Sequence, residues 1–140
     1  MKSLQIFLLI PHFLYASSIK VEGIPSPLIV STATAGEEPD GVTDSSSSYS
    51  LKITRRQNTT LVASLDSPMP PYTSLKMTLE APSGSHSYPV TLSTTPQILI
   101  ENIPEGTHPK KTITYQYSAK VTAGILPLQT KTIFLTLLSS

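Results

Sequence analysis

Two histidines, four clustered carboxylates, one S-x-x-K tetrad and one tyrosine set among prolines are the residues with which this chain could do chemistry. Acyl transfer needs a nucleophile, a histidine and a carboxylate brought together. Beyond the first eighteen residues the histidines are His86, in PSGSHS, and His108, in EGTHP. Both stretches read as exposed turns, the first as a hairpin turn, and neither ring is expected to act as base or ligand. No G-x-S-x-G elbow occurs. Ser17-Ser18-Ile19-Lys20 matches S-x-x-K, but the companion S-D-N and K-T-G motifs are missing, so the match is read as coincidence.

The carboxylates Glu37, Glu38, Asp40 and Asp44 lie around Gly41. Calcium favours flexible loops of this composition. The spacing is not that of an EF-hand, and no distant ligand can be named, so a solvated acidic loop is expected. Asn58-Thr59-Thr60 is an N-x-T sequon, meaningful only in a host that glycosylates exported proteins. Arg55 and Arg56 are too small a basic patch for nucleic acid. Tyr72, in PMPPYTS, is expected to be exposed and is the first place to look for a ligand-binding tip; its plainer role is a rim residue packed on its own prolines. With no tryptophan, a platform of stacked aromatics for carbohydrate has little support. No catalytic, cofactor-binding or metal-ligating residue is assigned, and the chain is expected not to be an enzyme.

The elements that must position these residues begin with an export signal. MKSLQIFLLIPHFLYASS carries Lys2, an apolar run from Leu4 to Leu14 and small residues at Ala16 to Ser18. That is the order of a secretory signal peptide, and the run is too short for a membrane-spanning helix. The expected division is therefore a leader over 1–18 and one domain over 19–140, with cleavage after Ala16 or Ser18. Cleavage after Ser18 leaves 122 residues and removes one of the ten basic side chains, so nine basic groups face nine acidic ones. A neutral chain gives no electrostatic case for nucleic acid or an anionic membrane. Periplasm, cell surface or extracellular space are the expected locations. The absence of cysteine excludes disulfides, thiolate metal sites and a lipid anchor on cysteine.

Past the leader, alternation at period two recurs between Pro, Gly, Ser and Asp clusters. It places Tyr49, Leu51 and Ile53 on one face, then Leu61, Ala63 and Leu65, then Leu75, Met77 and Leu79. SYPVTLS offers Tyr88, Val90 and Leu92, with Pro89 marking an edge or a late start. QILIENI leaves its inward face open. TITYQYSAKVTAG places Ile113, Tyr115, Tyr117, Ala119 and Val121 together, and TKTIFLTLL does so for Ile133, Leu135 and Leu137. PLIVSTA adds a strand near residues 27–33, whereas 36–48, acidic then serine-rich, is expected to be a mobile loop. The sum is an all-β antiparallel sandwich of seven to eight strands. Strands this short, without aromatic girdles, do not suit an outer-membrane barrel.

The stretches TATAGEEPDGVTDSSSSYSL, LVASLDSPMPPYTSLKMTLEAPSG, VTLSTTPQILIENIPEG and TITYQYSAKVTAGILPLQTKTIFLTL resemble, in that order, small exported bacterial proteins with an immunoglobulin-like β-sandwich, of the fimbrial-subunit and adhesin-like kind. The resemblance runs from about Ile29 to Leu137 and rests on turn prolines and alternating strands. It implies a surface or extracellular protein with a structural or adhesion-type role, a protein or glycan partner, and self-association as an option. It carries over no catalytic residue. Two departures stand against polymerisation by strand donation: the cysteine pair usual in pilins is missing, and the final strand TIFLTLL is present. A donor arm could still be sought in IKVEGIPSPLIV, where Ile19 and Val21 alternate before Pro25 and Pro27.

Overall fold

A computed structural model of the chain describes residues 2–9, 17–31, 34–54 and 58–139; Pro11, His12, Ala16, Arg55 and Arg56 lie outside them. The described residues form β1 (Lys2–Leu9), β2 (Ser18–Glu22), β3 (Leu28–Val30), β4 (Val42–Ile53), β5 (Thr59–Leu65), β6 (Thr73–Leu79), β7 (His86–Ser87), β8 (Val90–Thr91), β9 (Gln97–Ile103), β10 (Gly106–Ala119) and β11 (Gln129–Ser139), with one 3₁₀ turn over Val121–Ala123. They make two sheets, ordered β3-β1-β11-β5-β9-β7 and β2-β4-β10-β6-β8. Odd-numbered strands build one sheet and even-numbered strands the other, so each successive strand lies in the opposite layer. The all-β class and the two layers agree with the sequence. The expected hairpin at PSGSHS does not form: Gly84 turns the chain from β6 in one sheet to β7 in the other. Among the described residues no helix is long and apolar enough to cross a membrane.

The core is the set of inward positions that the alternation marks. Tyr49, Leu51, Ile53, Leu61, Ala63, Leu65, Leu75, Met77, Leu79, Ile113, Tyr115, Tyr117, Ile133 and Leu135 are all buried. Burying one such leucine contributes about 1.5–3 kcal/mol.

Other expectations change as well. The serine run does not stay a loop, because β4 starts at Val42 and Ser47 is buried opposite Ile113 of β10. A register shift between Ile113 and Tyr115 takes up the extra residue, and the Ser45 and Thr114 hydroxyls bond at 3.0 Å. EGTHPKK is strand from Gly106 onward, and His108 is buried, its Nε2 2.8 Å from the Pro104 carbonyl oxygen. Tyr88 points outward, donating its hydroxyl hydrogen to Glu101, because the chain changes sheets between β7 and β8 at Pro89. Val121 is exposed, because β10 ends at Ala119. The open question at QILIENI is answered by two register shifts against β5: Leu99 and Ile100 are both buried and Asn102 sits at φ 58°, a conformation asparagine tolerates.

Residues 2–9 of the expected leader form β1, parallel to β11 from Leu4–Gln129 to Leu9–Phe134 and antiparallel to β3. Leu4 and Ile6 are 1% exposed. A cleaved leader and a sheet strand are alternative fates of the same eight residues.

Three buried tyrosines lead to a paired prediction. The Tyr49 hydroxyl donates to the Glu80 carbonyl oxygen, whereas the Tyr115 hydroxyl has no hydrogen-bond partner among the described residues. Tyr49→Phe should cost about 1 kcal/mol, and Tyr115→Phe should be neutral or stabilising, as read by urea unfolding. Burial raises the pKa of Tyr49, Tyr115 and Tyr117, with Glu80 adding to the first and Asp44 to the second. The folded chain therefore holds these protons where the unfolded chain releases them. Their contribution to stability is complete below about pH 10 and is lost as pH rises beyond it. Melting temperature measured from pH 8 to 11 should fall at the alkaline end, less steeply in the Tyr115→Phe variant.

Candidate functional site

Strand register decides which residues share an end of the sandwich. Ala119 lies opposite Thr73, Tyr117 opposite Val42, and Leu4 opposite Gln129. Residues 34–41, 66–72 and 120–128 therefore emerge together. Between them is a groove of about 330 Å³, lined by Glu38, Pro39 and Tyr72 at the loops and by Ser74, Ser118 and Lys120 on and beside the strands.

Each loop is tied down by a contact that local sequence does not reveal. Lys131 of β11 is buried, and its Nζ donates to Ser67 Oγ at 2.8 Å and to the Pro68 carbonyl oxygen at 2.7 Å. Asp66 Oδ1 accepts the Thr132 N–H at 3.1 Å. The segment that carries Tyr72 is thus anchored at its base. Glu38 Oε2 accepts the Val121 N–H at 2.6 Å, fixing the acidic loop against the 3₁₀ turn. Lys120 N–H donates to the Tyr72 carbonyl oxygen at 2.9 Å. The floor holds the Ser74 and Ser118 hydroxyls, 2.7 Å apart.

Tyr72 is 60% exposed and sits at φ 63°. It is the third residue of the turn Pro70–Thr73, closed by the Thr73 N–H on the Pro70 carbonyl oxygen at 3.2 Å, with Pro71 before it. A proline followed by a positive-φ residue is the type II pattern, in which glycine or asparagine is favoured. An aromatic residue there is strained by about 1–2 kcal/mol. The expectation that Tyr72 is exposed is met.

The loop VTAGILPLQT, residues 121–130, holds no charge. Val121 and Leu128 are exposed, and Ile125 is 89% exposed. With Tyr72 they place four large exposed apolar or aromatic side chains on the loops at this end. Single exposed apolar residues are ordinary on a surface, and four on the loops of one end make it the most apolar of the exposed loop clusters described.

The other candidates are not assembled here. His108 is eleven residues from Ala119 along β10, roughly 35 Å for extended chain. His86 stands opposite Glu101 on the edge strand β7. The acidic residues separate: Glu38 faces the 3₁₀ turn, whereas Asp44 lies in β4 and accepts from the Ser46 N–H and hydroxyl. Among the described residues no group of three His, Cys, Asp or Glu side chains could hold a metal ion. Ser74, Ser118 and Lys120 are the site residues that sequence reasoning did not single out. Tyr72 pointed to this end through its place after two prolines, and the sequence marks Glu38 only as part of an acidic cluster weighed for calcium.

No protein-family model matches the chain, and no curated protein or solved structure matches it either.

The strain at Tyr72 can be measured. Tyr72→Gly should leave the chain as stable as before or more so, by up to about 1 kcal/mol once the entropy cost of glycine is included. Thermal unfolding checks it, and a clear drop in melting temperature would mean that the ring supports the fold.

Proposed function

We propose that the chain is an exported bacterial β-sandwich protein, non-catalytic, with a structural or adhesion-type role in the periplasm, at the cell surface or outside the cell. The observation that carries this reading is the gathering of Tyr72, Val121, Ile125 and Leu128 on loops at one end of the two sheets. Uncharged apolar groups left in water there cost free energy that a contact would recover. The order of charge, apolar run and small residues in MKSLQIFLLIPHFLYASS supports export. The immunoglobulin-like reading of the fold rests on domain size and the two layers, antiparallel except for the β1–β11 pair. Immunoglobulin domains also pair consecutive strands within a sheet, and the strict change of layer here is closer to a double-sheet jelly roll.

Protease shaving of intact cells, run beside cell fractionation, tests location, and labelled full chain applied to cells tests contact. Digestion of the chain on intact cells is expected. Replacing both Ile125 and Leu128 with serine should lower cell binding at least tenfold without lowering the melting temperature. Protein confined to the cytoplasm, or undiminished binding by the serine variant, would overturn the reading.

A pilus-type subunit, polymerising by strand donation, is the second reading, and the position of β1 favours it. Leader cleavage would free the edge of β11 and vacate the places of Leu4 and Ile6. The proposed donor arm is engaged elsewhere, since Ile19 and Val21 pair with Leu51 and Tyr49 of β4. A different occupant lies next door: β3 runs antiparallel to β1 and hence to β11, and since Leu28 faces Leu4 and Leu4 faces Gln129, one strand's shift would seat Leu28 beside Gln129 at the start of β11. Size-exclusion chromatography of the chain from Ser17 onward separates the two. A monomer indicates closure by β3, and a ladder of oligomers indicates donation between copies.

A further inference from the structure

We propose that the groove beneath Tyr72 binds an uncharged saccharide unit, a hexose or N-acetylhexosamine, at the end of the sandwich. This rests on the reading of that end as a contact surface and names its ligand class. Four observations converge. The Tyr72 ring is exposed and held in a strained backbone conformation that a glycine or asparagine would fill with less cost. Strain of this kind, kept by anchored surroundings, points to a role beyond folding. The anchors are present: Lys131 fixes the start of the loop, and the Lys120 N–H holds the Tyr72 carbonyl.

Second, the Val121 N–H engages Glu38 Oε2, which orients the carboxylate and leaves Oε1 as the acceptor for a ligand hydroxyl. Third, the Ser74 and Ser118 hydroxyls on the floor can each donate and accept. Fourth, the charges in the lining are balanced, one carboxylate on Glu38 and one ammonium on Lys120. A sugar ring matches this set: its C–H face covers an aromatic ring, and its hydroxyls both donate and accept.

Other ligand classes fit less well. A phosphate or sulfate would meet the Glu38 carboxylate. An apolar ligand would strip water from the serine hydroxyls without replacing it. A peptide cannot add a strand here, because the floor is the paired ladder of β6 and β10, Ser74 opposite Ser118 and Thr73 opposite Ala119. This differs from the stacked-aromatic platform that the composition argues against, because one ring flanked by hydrogen-bonding groups is enough for one sugar unit. A groove of about 330 Å³ is at the lower end for a small-molecule site and suits one ring.

The test is an NMR titration of the ¹⁵N-labelled full chain with glucose, galactose, mannose and N-acetylglucosamine, each raised to about 50 mM to cover millimolar affinity. At least one sugar is expected to shift the amides of Tyr72, Thr73, Ser74 and Lys120. Tyr72→Gly should weaken that binding at least tenfold while shifts elsewhere stay native, and Glu38→Gln should weaken it less. No shift in these amides with any of the four sugars, or binding indifferent to Tyr72→Gly, would overturn the assignment. So would a short apolar or acidic peptide that perturbs the same amides when no sugar does. The cell-binding assay keeps the two readings apart: binding that depends on Ile125 and Leu128 but not on Tyr72 or added sugar leaves the contact surface standing and removes the saccharide. Sugar shifts without cell binding do the reverse.

Discussion

No disulfide joins the two sheets, so the apolar faces they turn toward each other are what the rest of the structure depends on. Leu61, Leu65, Leu99, Ile133 and Leu135 come from one layer, and Leu51, Leu75, Met77, Leu79 and Ile113 from the other. Most of them follow the period-two rule in both layers, with exceptions in β5 and β9, where Val62 beside Leu61 and Ile100 beside Leu99 are buried as well. Tyrosines fill the widest places, and their hydroxyls are a liability. Tyr49 reaches a carbonyl and Tyr115 does not, so among the described residues the Tyr115 hydroxyl joins the buried Ser47 hydroxyl as a group without a hydrogen-bond partner.

Change of layer at every step has a kinetic consequence. A hairpin lets a strand find its partner a few residues away. Here β4 waits for β10, and β5 for β11, before either gains its main ladder. Topologies dominated by such distant pairings fold slowly. Prolines in the crossings keep those segments from extending the neighbouring strand, and Pro89 does so most plainly by parting β7 from β8.

The inward residues of β4, β5, β6, β10 and β11 could be read from alternation alone, because burial on one face leaves a direct mark in residue type. What lay beyond reach shares a physical cause, namely pairing with distant chain. Ser45 to Ser48 have a composition that suits a loop, yet Ser47 and Ser48 pair with Ile113 and Thr112 of β10, Ser48 also pairs with Glu22 of β2, and Ser45 and Ser46 form the exposed bulge before them. His108 resembles a turn residue until the carbonyl of Pro104 and the neighbouring β4 enclose it. The two register shifts of β9 turn both Leu99 and Ile100 inward, which no single alternation can describe. The site was legible at Tyr72 and, for a different chemistry, at Glu38. Ser74 and Ser118 are ordinary surface residues in the sequence, and the four become a site only when the 34–41 loop, β6 and β10 meet.

The seat of β1 ties the fate of residues 2–9 to folding. Leu4 and Ile6 are as fully buried as any residue of the core, and at about 1.5–3 kcal/mol each they account for a sizeable part of a typical domain stability of about 5–15 kcal/mol. A seat of that value cannot stay empty in water, since its loss would also expose the facing side chains of β3 and the β11 backbone edge. The strand directions then limit what can replace β1. The parallel pair β1–β11 is the one parallel pairing among the described strands, and every other ladder is antiparallel. Removal of β1 and inward movement of β3 by one strand spacing, about 4.8 Å, would make the sheet wholly antiparallel without reversing any segment. Leu28 and Val30 already alternate with the right period and already face the core. A molecule that loses its first strand therefore carries a segment of the correct direction beside the gap, but its register covers only the first residue of the vacated ladder: Leu28 would meet Gln129, and reaching Ile133 takes a slide of four residues along β11 as well. Closure within one chain needs that slide, and capture of a strand from a second copy does not, which is the physical difference between the two fates of the β11 edge.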